Sequence, residues 1–131
     1  MRVAVLHVRK FGSNPNAQLA ACYGFNHSTH AGVRLWEHVA NVTVPEDEAK
    51  TTEAALDYVF NATNHLHRAW QTNPGIEAFT NSARSTSVND VMVTDAGEIW
   101  QVAGVGWKGP IPANKNLLTR AVENLFRPRL G

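Results

Sequence analysis

Residues 85–104 read STSVNDVMVTDAGEIWQVAG, and they predict a short turn that leads into a β-hairpin. The two halves of the hairpin, residues 91–94 and 98–102, consist largely of β-branched, aromatic and other strand-forming side chains. Between them, residues 95–97 read Asp-Ala-Gly, a triplet whose length and composition suit a hairpin loop. This stretch therefore indicates more about the fold than any other part of the chain.

Ser87 and Asp90 lie three residues apart just before the hairpin. At that spacing each side chain can accept a hydrogen bond from a backbone N–H across a turn, so we expect the turn to cap itself. Ser85, Ser87 and Asp90 are also residue types found in nucleophilic sites, but no histidine lies near them in the sequence. We interpret them, with Arg84 and Asn89, as a structural signature and assign no catalytic residue.

Hydrophobic periodicity predicts two further strands and two helices outside the hairpin. Thr51 or Thr52 is suited to cap the first helix, and Asn114 the second, because each can accept a hydrogen bond from an unpaired N–H of the first turn. The expected elements are strands at residues 1–9 and 33–44 and helices at residues 51–64 and 114–127.

These elements predict an α+β fold, in which an antiparallel sheet of about four to five strands carries the two main helices on one face. The chain has 131 residues and no repeat or linker, so we expect residues 1–131 to form a single domain. Residues 66–79 and 104–112 are expected to be irregular connections. Residues 17–24 fit a helix or a strand equally well.

Composition restricts the classes of function. A formal net charge of +1 excludes a strongly basic domain that binds nucleic acid or anionic membranes through its overall charge. The single cysteine, Cys22, excludes an internal disulfide and is interpreted as a small buried hydrophobe. Since there is also no signal peptide and no long apolar span, we expect a cytoplasmic protein without a membrane contact.

Three stretches together resemble the YodL-like domain. They are YVFNATN at residues 58–64, RSTSVNDVMV at residues 84–93 and GVGW at residues 104–107. Proteins of that family are small, are carried by bacterial mobile elements and actinobacterial phages, and share a Phe-x-x-x-Asn helix end and an Arg-Ser-Leu-Ser-Val-Gly-Asp-Val signature. The family has no established activity, so the resemblance implies a phage or plasmid accessory protein, in the host cytoplasm, and no particular chemistry.

The chain departs from that signature at two positions. Thr86 stands where the family has leucine, which implies a more polar underside to the turn. Asn89 stands where the family has glycine. The second change is mild, because asparagine tolerates a left-handed backbone better than other non-glycine residues.

Our leading hypothesis for function is a non-enzymatic accessory protein that binds a host macromolecule, expected to be a protein. Trp107 lies between glycine-rich segments and is followed by Lys108. Tryptophan commonly anchors protein partners at a surface, so Trp107 and Lys108 are the candidate contact residues. An unpaired edge strand or an exposed tryptophan would also allow a homodimer.

Two alternatives use other side chains, and no cofactor is predicted under the leading hypothesis. One is a nucleic-acid-binding module that uses the cations of the C-terminal helix and tail, Lys115, Arg120, Arg127 and Arg129. The other is a metal protein or enzyme that uses two histidine pairs with ligand-like spacing, His27 with His30 and His65 with His67. The lack of cysteine pairs argues against a structural zinc site.

Overall fold

The computed structural model describes residues 1–8, 36–64, 69–80, 84–111 and 126. Six strands form one antiparallel sheet in the order β3-β2-β1-β4-β5-β6. The elements are β1 (Arg2–Val8), β2 (Trp36–Thr43), a 3-10 turn (Glu46–Glu48), α1 (Thr52–Ala62), a second 3-10 turn (Trp70–Thr72), β3 (Ile76–Ala78), β4 (Val91–Thr94), β5 (Ile99–Val102) and β6 (Trp107–Lys108).

The predicted fold class is wrong in two respects. The sheet has six strands rather than four or five, because short strands form at both of its edges. Along the described ranges the elements are mostly strands, with α1 as the single α-helix longer than one residue. The predicted helix at residues 114–127 and the ambiguous residues 17–24 lie outside the described residues, except for Phe126, which is helical.

α1 covers one face of the sheet. Its first turn is capped by Thr51, whose hydroxyl accepts a hydrogen bond from the Ala54 N–H at 3.0 Å. This confirms the first of the two predicted caps, a contact that typically stabilises a helix by about 1 kcal/mol. Ala55, Leu56 and Val59 are buried and belong to the same apolar cluster as the strands. The strand residues of that cluster include Val3, Val5, Ala40, Val42, Met92 and Trp100.

The opposite face of the sheet is buried as well. Its apolar side chains, which alternate with those beneath α1, are Ala4, Leu6, Val91, Val93 and Ile99. The ring of Phe126 lies 5.2 Å from the guanidinium carbon of Arg2. The packing of the predicted helix at residues 114–127 lies outside the described residues.

The central hairpin has the predicted form. β4 and β5 pair in antiparallel register, with Met92 opposite Trp100. Gly97 has a positive φ of 89° and its N–H bonds the Thr94 carbonyl at 2.9 Å, which closes the loop. Asn89 in the preceding turn has a φ of 77°. This is a left-handed conformation, which asparagine tolerates better than other non-glycine residues.

The two edge strands lie in segments expected to be irregular. β3 follows Gly75, whose carbonyl accepts a hydrogen bond from the Thr43 N–H at 2.8 Å and so continues the pairing with β2. β6 pairs with the end of β5, and its register places Trp107 opposite Val102. Strands of three and two residues are too short to show a period-2 pattern, so flanking glycines and prolines dominate the sequence signal.

Candidate functional site

Asp90 lies directly before β4 and is fully buried. Among the described residues, its carboxylate accepts more hydrogen bonds than any other. Its Oδ2 accepts hydrogen bonds from Nη1 of Arg84 at 2.7 Å and from the backbone N–H of Ser87 at 2.8 Å. Its Oδ1 accepts from Nη2 of Arg84 at 2.8 Å. The pair is bidentate, a geometry that makes charge-assisted hydrogen bonds strong and specific in direction. Hydrogen bonding to Asp90 also raises the pKa of Arg84.

The turn around Ser87 caps itself on one side only. Asp90 reaches across it to the Ser87 N–H, as the spacing suggested, and the Asp90 N–H bonds the Ser87 carbonyl at 3.1 Å. The Ser87 hydroxyl instead accepts a weak hydrogen bond from Arg84 at 3.3 Å. Arg84 also donates to the carbonyl of Ser85 at 3.0 Å. The guanidinium of Arg84 therefore donates hydrogen bonds both to the buried carboxylate and to groups of the turn around it.

A histidine stands beside this carboxylate, although none is near it in the sequence. His7, from β1, is 4 % exposed, and its Nε2 lies 3.8 Å from Oδ2 of Asp90 and 2.9 Å from the hydroxyl of Thr86. The Thr86 hydroxyl in turn lies 2.7 Å from the hydroxyl of Thr63, the C-cap residue of α1. We call His7, Thr63, Arg84, Thr86 and Asp90 the Asp90 cluster.

The hydroxyls of this cluster have a defined direction. Thr63 Oγ1 lies 2.9 Å from the carbonyl of Val59, which can only accept, so the Thr63 hydroxyl donates there. Thr63 must then accept from the Thr86 hydroxyl, and Thr86 from the Nε2–H of His7. A proton on Nε2 also suits the neighbouring carboxylate of Asp90. The chain of donors fixes the tautomer of His7 as the one protonated at Nε2.

Burial determines the charge state of His7. Desolvation lowers the pKa of His7 below its ordinary value of 6.5, and Arg84 acts in the same direction. The carboxylates of Asp90 and Glu37 oppose that shift without overcoming it. The imidazole is therefore neutral at pH 7 and serves as a hydrogen-bond donor. Its ring packs edge-on against the buried ring of Trp70, with 6.1 Å between centroids.

The contacts of the Asp90 cluster join four parts of the chain, one of which is β1 through His7. The Thr86 N–H bonds the Thr63 carbonyl at 3.0 Å, and the Trp70 indole N–H bonds the Arg84 carbonyl at 2.9 Å. These contacts attach the turn to the end of α1 and to the second 3-10 turn. Since the hydroxyls, the carboxylate and the indole bond one another or backbone groups, the arrangement is suited to order the backbone.

A second polar site is open to solvent. Beside α1 lies a cleft of about 630 Å³, which we call the α1 cleft. Two alanines and a proline supply apolar walls, and the polar lining consists of Glu48, Asp57, Tyr58, Asn61 and Asn73. Within the described ranges, the lining thus contains two acidic residues and no basic one.

Trp107 connects β6 to this cleft. It is half-buried, with its ring edge-on to Phe60 at 6.4 Å between centroids, and its indole N–H donates to Oδ1 of Asp57 at 2.8 Å. The adjacent Lys108 is exposed, and Val105 on the preceding bend is 96 % exposed. Trp107 is therefore partly embedded rather than a free surface anchor, and it orients a carboxylate of the cleft.

The other predicted site residues lie outside the described residues. They are His27, His30, His65, His67, Lys115, Arg120, Arg127, Arg129 and Cys22. Within the described ranges, no three histidine, cysteine or acidic side chains are placed to hold a metal ion. In the same ranges, no helix combines the length and apolar character needed to cross a membrane.

Sequence reasoning missed His7 and the α1 cleft. Both depend on contacts between distant residues, since Thr86 lies 79 positions from His7 and Trp107 lies 50 positions from Asp57. The remaining signal was local and weak, a histidine among the otherwise apolar residues 3–8 of β1. Comparison of the chain with protein-family models, with curated proteins and with solved structures gave no match, so its resemblance to the YodL-like domain stays a prediction.

Proposed function

We propose that this protein is a non-enzymatic accessory protein that acts by binding another protein, through a surface formed by Trp107, Lys108 and the α1 cleft. The observation that carries the proposal is the hydrogen bond from the Trp107 indole to Asp57. It joins the candidate aromatic contact to the open cleft, so that one continuous surface offers an aromatic ring, charged groups and a concave floor.

The embedding of Trp107 favours this role. Residues that dominate binding energy in protein interfaces are commonly tryptophans whose position is fixed before the partner arrives. The edge of Phe60 and the carboxylate of Asp57 together hold the indole. Little side-chain entropy is then lost on binding. Val105 and Lys108 lie beside it in sequence and are exposed, which gives the surface an apolar and a charged neighbour.

The resemblance at residues 58–64, 84–93 and 104–107 supports the biological setting of this proposal. Proteins that resemble the YodL-like domain would be carried by a phage or plasmid and would act in the cytoplasm of the bacterial host. The partner is accordingly proposed to be a host protein. Residues 58–64 and 104–107 include side chains of the proposed surface, among them Tyr58, Asn61 and Trp107.

The chemistry of the cleft favours a protein over a nucleic acid at this surface. Glu48 and Asp57 would repel phosphate groups, which nucleic-acid-binding surfaces attract with lysine and arginine. The cations Lys115, Arg120, Arg127 and Arg129 belong to a different part of the chain. Binding through them stays a separate hypothesis, for which steep salt dependence and sensitivity to Arg120→Gln would be diagnostic.

The proposal is tested by affinity capture from a bacterial host lysate followed by calorimetry with the purified partner. We expect Val105→Ser and Lys108→Ala to weaken binding without affecting folding, since both side chains are exposed. Trp107→Phe should weaken it further, because it removes the indole N–H but retains an aromatic ring. A purified partner whose affinity is unchanged by all three substitutions would place the interface elsewhere and contradict the proposal.

A further inference from the structure

We infer that the α1 cleft binds a basic segment of the partner protein, with a lysine or arginine side chain held between Glu48 and Asp57. This inference rests on the proposed function and adds the chemistry of the partner. Both carboxylates line the cleft, and no basic side chain does so among the residues that the structure describes. A cationic side chain is the complement of this lining in charge, and arginine is also the complement in geometry, because its planar group can contact two carboxylates.

The charge of the surrounding chain extends this complementarity. Residues 46–57 contain five of the eleven acidic residues of the protein and one basic residue, Lys50. The protein as a whole has a formal net charge of +1, so residues 46–57 are more acidic than the chain as a whole. Such a local field raises the rate at which a positively charged segment encounters the surface.

The need to stabilise the start of α1 explains only some of the acidic residues between positions 46 and 57. Acidic side chains in the first turn of a helix interact favourably with its positive end, and Glu53 occupies that position. Asp57 lies beyond the first turn of α1, where this effect has decayed. Its carboxylate is exposed but is held by the Trp107 indole. Fixing an exposed carboxylate at a cleft wall prepares it to receive a cation.

The rest of the lining suits an extended peptide. Tyr58 and Asn61 provide a hydroxyl and an amide, groups that can bond the carbonyls and N–H groups of a peptide backbone. The alanines and the proline provide apolar contact for the aliphatic stem of a lysine or arginine. The cleft volume of about 630 Å³ lies within the range of about 300 to 1,000 Å³ that is typical of ligand-binding clefts.

The probe for this inference is a displayed library of random decapeptides, selected against the full-length protein. We expect the selected peptides to be enriched in lysine and arginine. Their affinity, measured by fluorescence anisotropy, should fall about five- to tenfold for the double variant Glu48→Gln, Asp57→Asn, and it should also fall as the salt concentration rises. The amide introduced by Asp57→Asn keeps a carbonyl that can accept from Trp107, so the double variant should fold normally.

The matched control is the double variant Glu46→Gln, Asp47→Asn. It removes the same total charge as the first double variant. Glu46 and Asp47 are exposed, lie on the same 3-10 turn as Glu48 and do not line the cleft. We expect it to change the affinity by less than about twofold, as is usual for charges outside the contact. An equal loss in both double variants would show a general field effect and would overturn the inference of a cation held between Glu48 and Asp57.

The remaining outcomes separate this inference from the proposed function. Selected peptides that lack basic residues but lose affinity with Trp107→Phe would support the surface and overturn its preference for cations. Peptides that bind all variants equally would bind outside the cleft and would overturn the inference, while the partner measurements would still decide the proposed function. Failure to enrich any peptide would overturn the inference of a peptide-binding cleft, whereas a partner still sensitive to Val105→Ser and Lys108→Ala would leave the proposed function standing.

Discussion

The Asp90 cluster and the α1 cleft use the same kinds of residue in opposite environments. In the cluster, Asp90 is fully buried and a guanidinium and a backbone N–H hold its carboxylate. In the cleft, Asp57 is exposed and accepts from the Trp107 indole N–H. Burial makes each hydrogen bond of Asp90 part of the folding energy, whereas exposure leaves Asp57 able to meet a partner. The two aspartates therefore have separable roles.

The largest expected effect is that of removing the carboxylate of the cluster. Asp90→Ala leaves the Ser87 N–H without its acceptor and Arg84 without its counter-charge, and we expect the free energy of unfolding to fall by about 3 kcal/mol. Arg84 is about one-third exposed, so part of its charge can return to water. Urea unfolding monitored by tryptophan fluorescence measures the change.

A double-mutant cycle provides the control for this prediction. Arg84→Met leaves the Asp90 carboxylate buried without its main partner, so it should also be costly. Removing both groups, with Arg84→Met and Asp90→Leu, should cost less than the sum of the two single changes. If the single effects simply add, the two groups are not coupled, and the bidentate contact contributes nothing specific to the stability of the turn.

A smaller effect is expected from the titration of His7. Its pKa in the folded protein is lowered by burial, so the unfolded chain binds the proton more readily. The stability that depends on neutral His7 is fully present above the pKa of about 6.5 that histidine has in the unfolded chain. It is lost as the pH falls through the pKa of His7 in the folded protein, and the free energy of unfolding then falls by at most about 1.4 kcal/mol per pH unit. We expect unfolding free energies measured from about pH 7.5 to about pH 5.5 to show this loss.

His7→Gln isolates the contribution of this histidine from that of the others. Glutamine can donate a similar hydrogen bond to Thr86 but does not titrate. The titration of the other histidines cancels when the two proteins are compared. The difference in free energy of unfolding between the wild type and this variant should shrink on acidification, because only the wild type loses stability through His7. A difference that widens towards low pH would mean that the folded state prefers the charged imidazole beside Asp90, contrary to the direction of the pKa shift.

Local sequence patterns predicted the elements whose structure is determined by residues close together in the chain. The hairpin of β4 and β5 depends on its loop triplet and its strand-forming side chains, and the start of α1 depends on Thr51. The edge strands could not be predicted, because two or three residues acquire strand geometry only from the neighbour with which they pair.

The site was less predictable than the fold, because it is assembled from pairs that no local pattern joins. Ser87 and Asp90 are near neighbours, and their contact follows from turn geometry. The place of His7 beside Asp90 follows from the antiparallel pairing of β1 with β4, which sets the end of one strand against the start of the other. Strand order is not encoded in the periodicity of either strand. Chemistry assembled across a sheet therefore appears only once the register is known.

The smallest effect on stability should come from the carboxylate of the cleft, and this sharpens the contrast with Asp90. Asp57→Asn keeps an acceptor for the Trp107 indole and removes only an exposed charge, so we expect the free energy of unfolding to change by less than about 0.5 kcal/mol. Asp90→Asn is the same chemical change at a buried position. It should lower the free energy of unfolding several times more, because an amide NH2 group replaces one carboxylate oxygen and faces the donor groups of Arg84 or Ser87. Urea unfolding of the two variants under identical conditions makes the comparison direct. Equal costs would mean that Asp57 is a structural residue of α1 and β6, and the cleft would then have to be explained by folding rather than by binding.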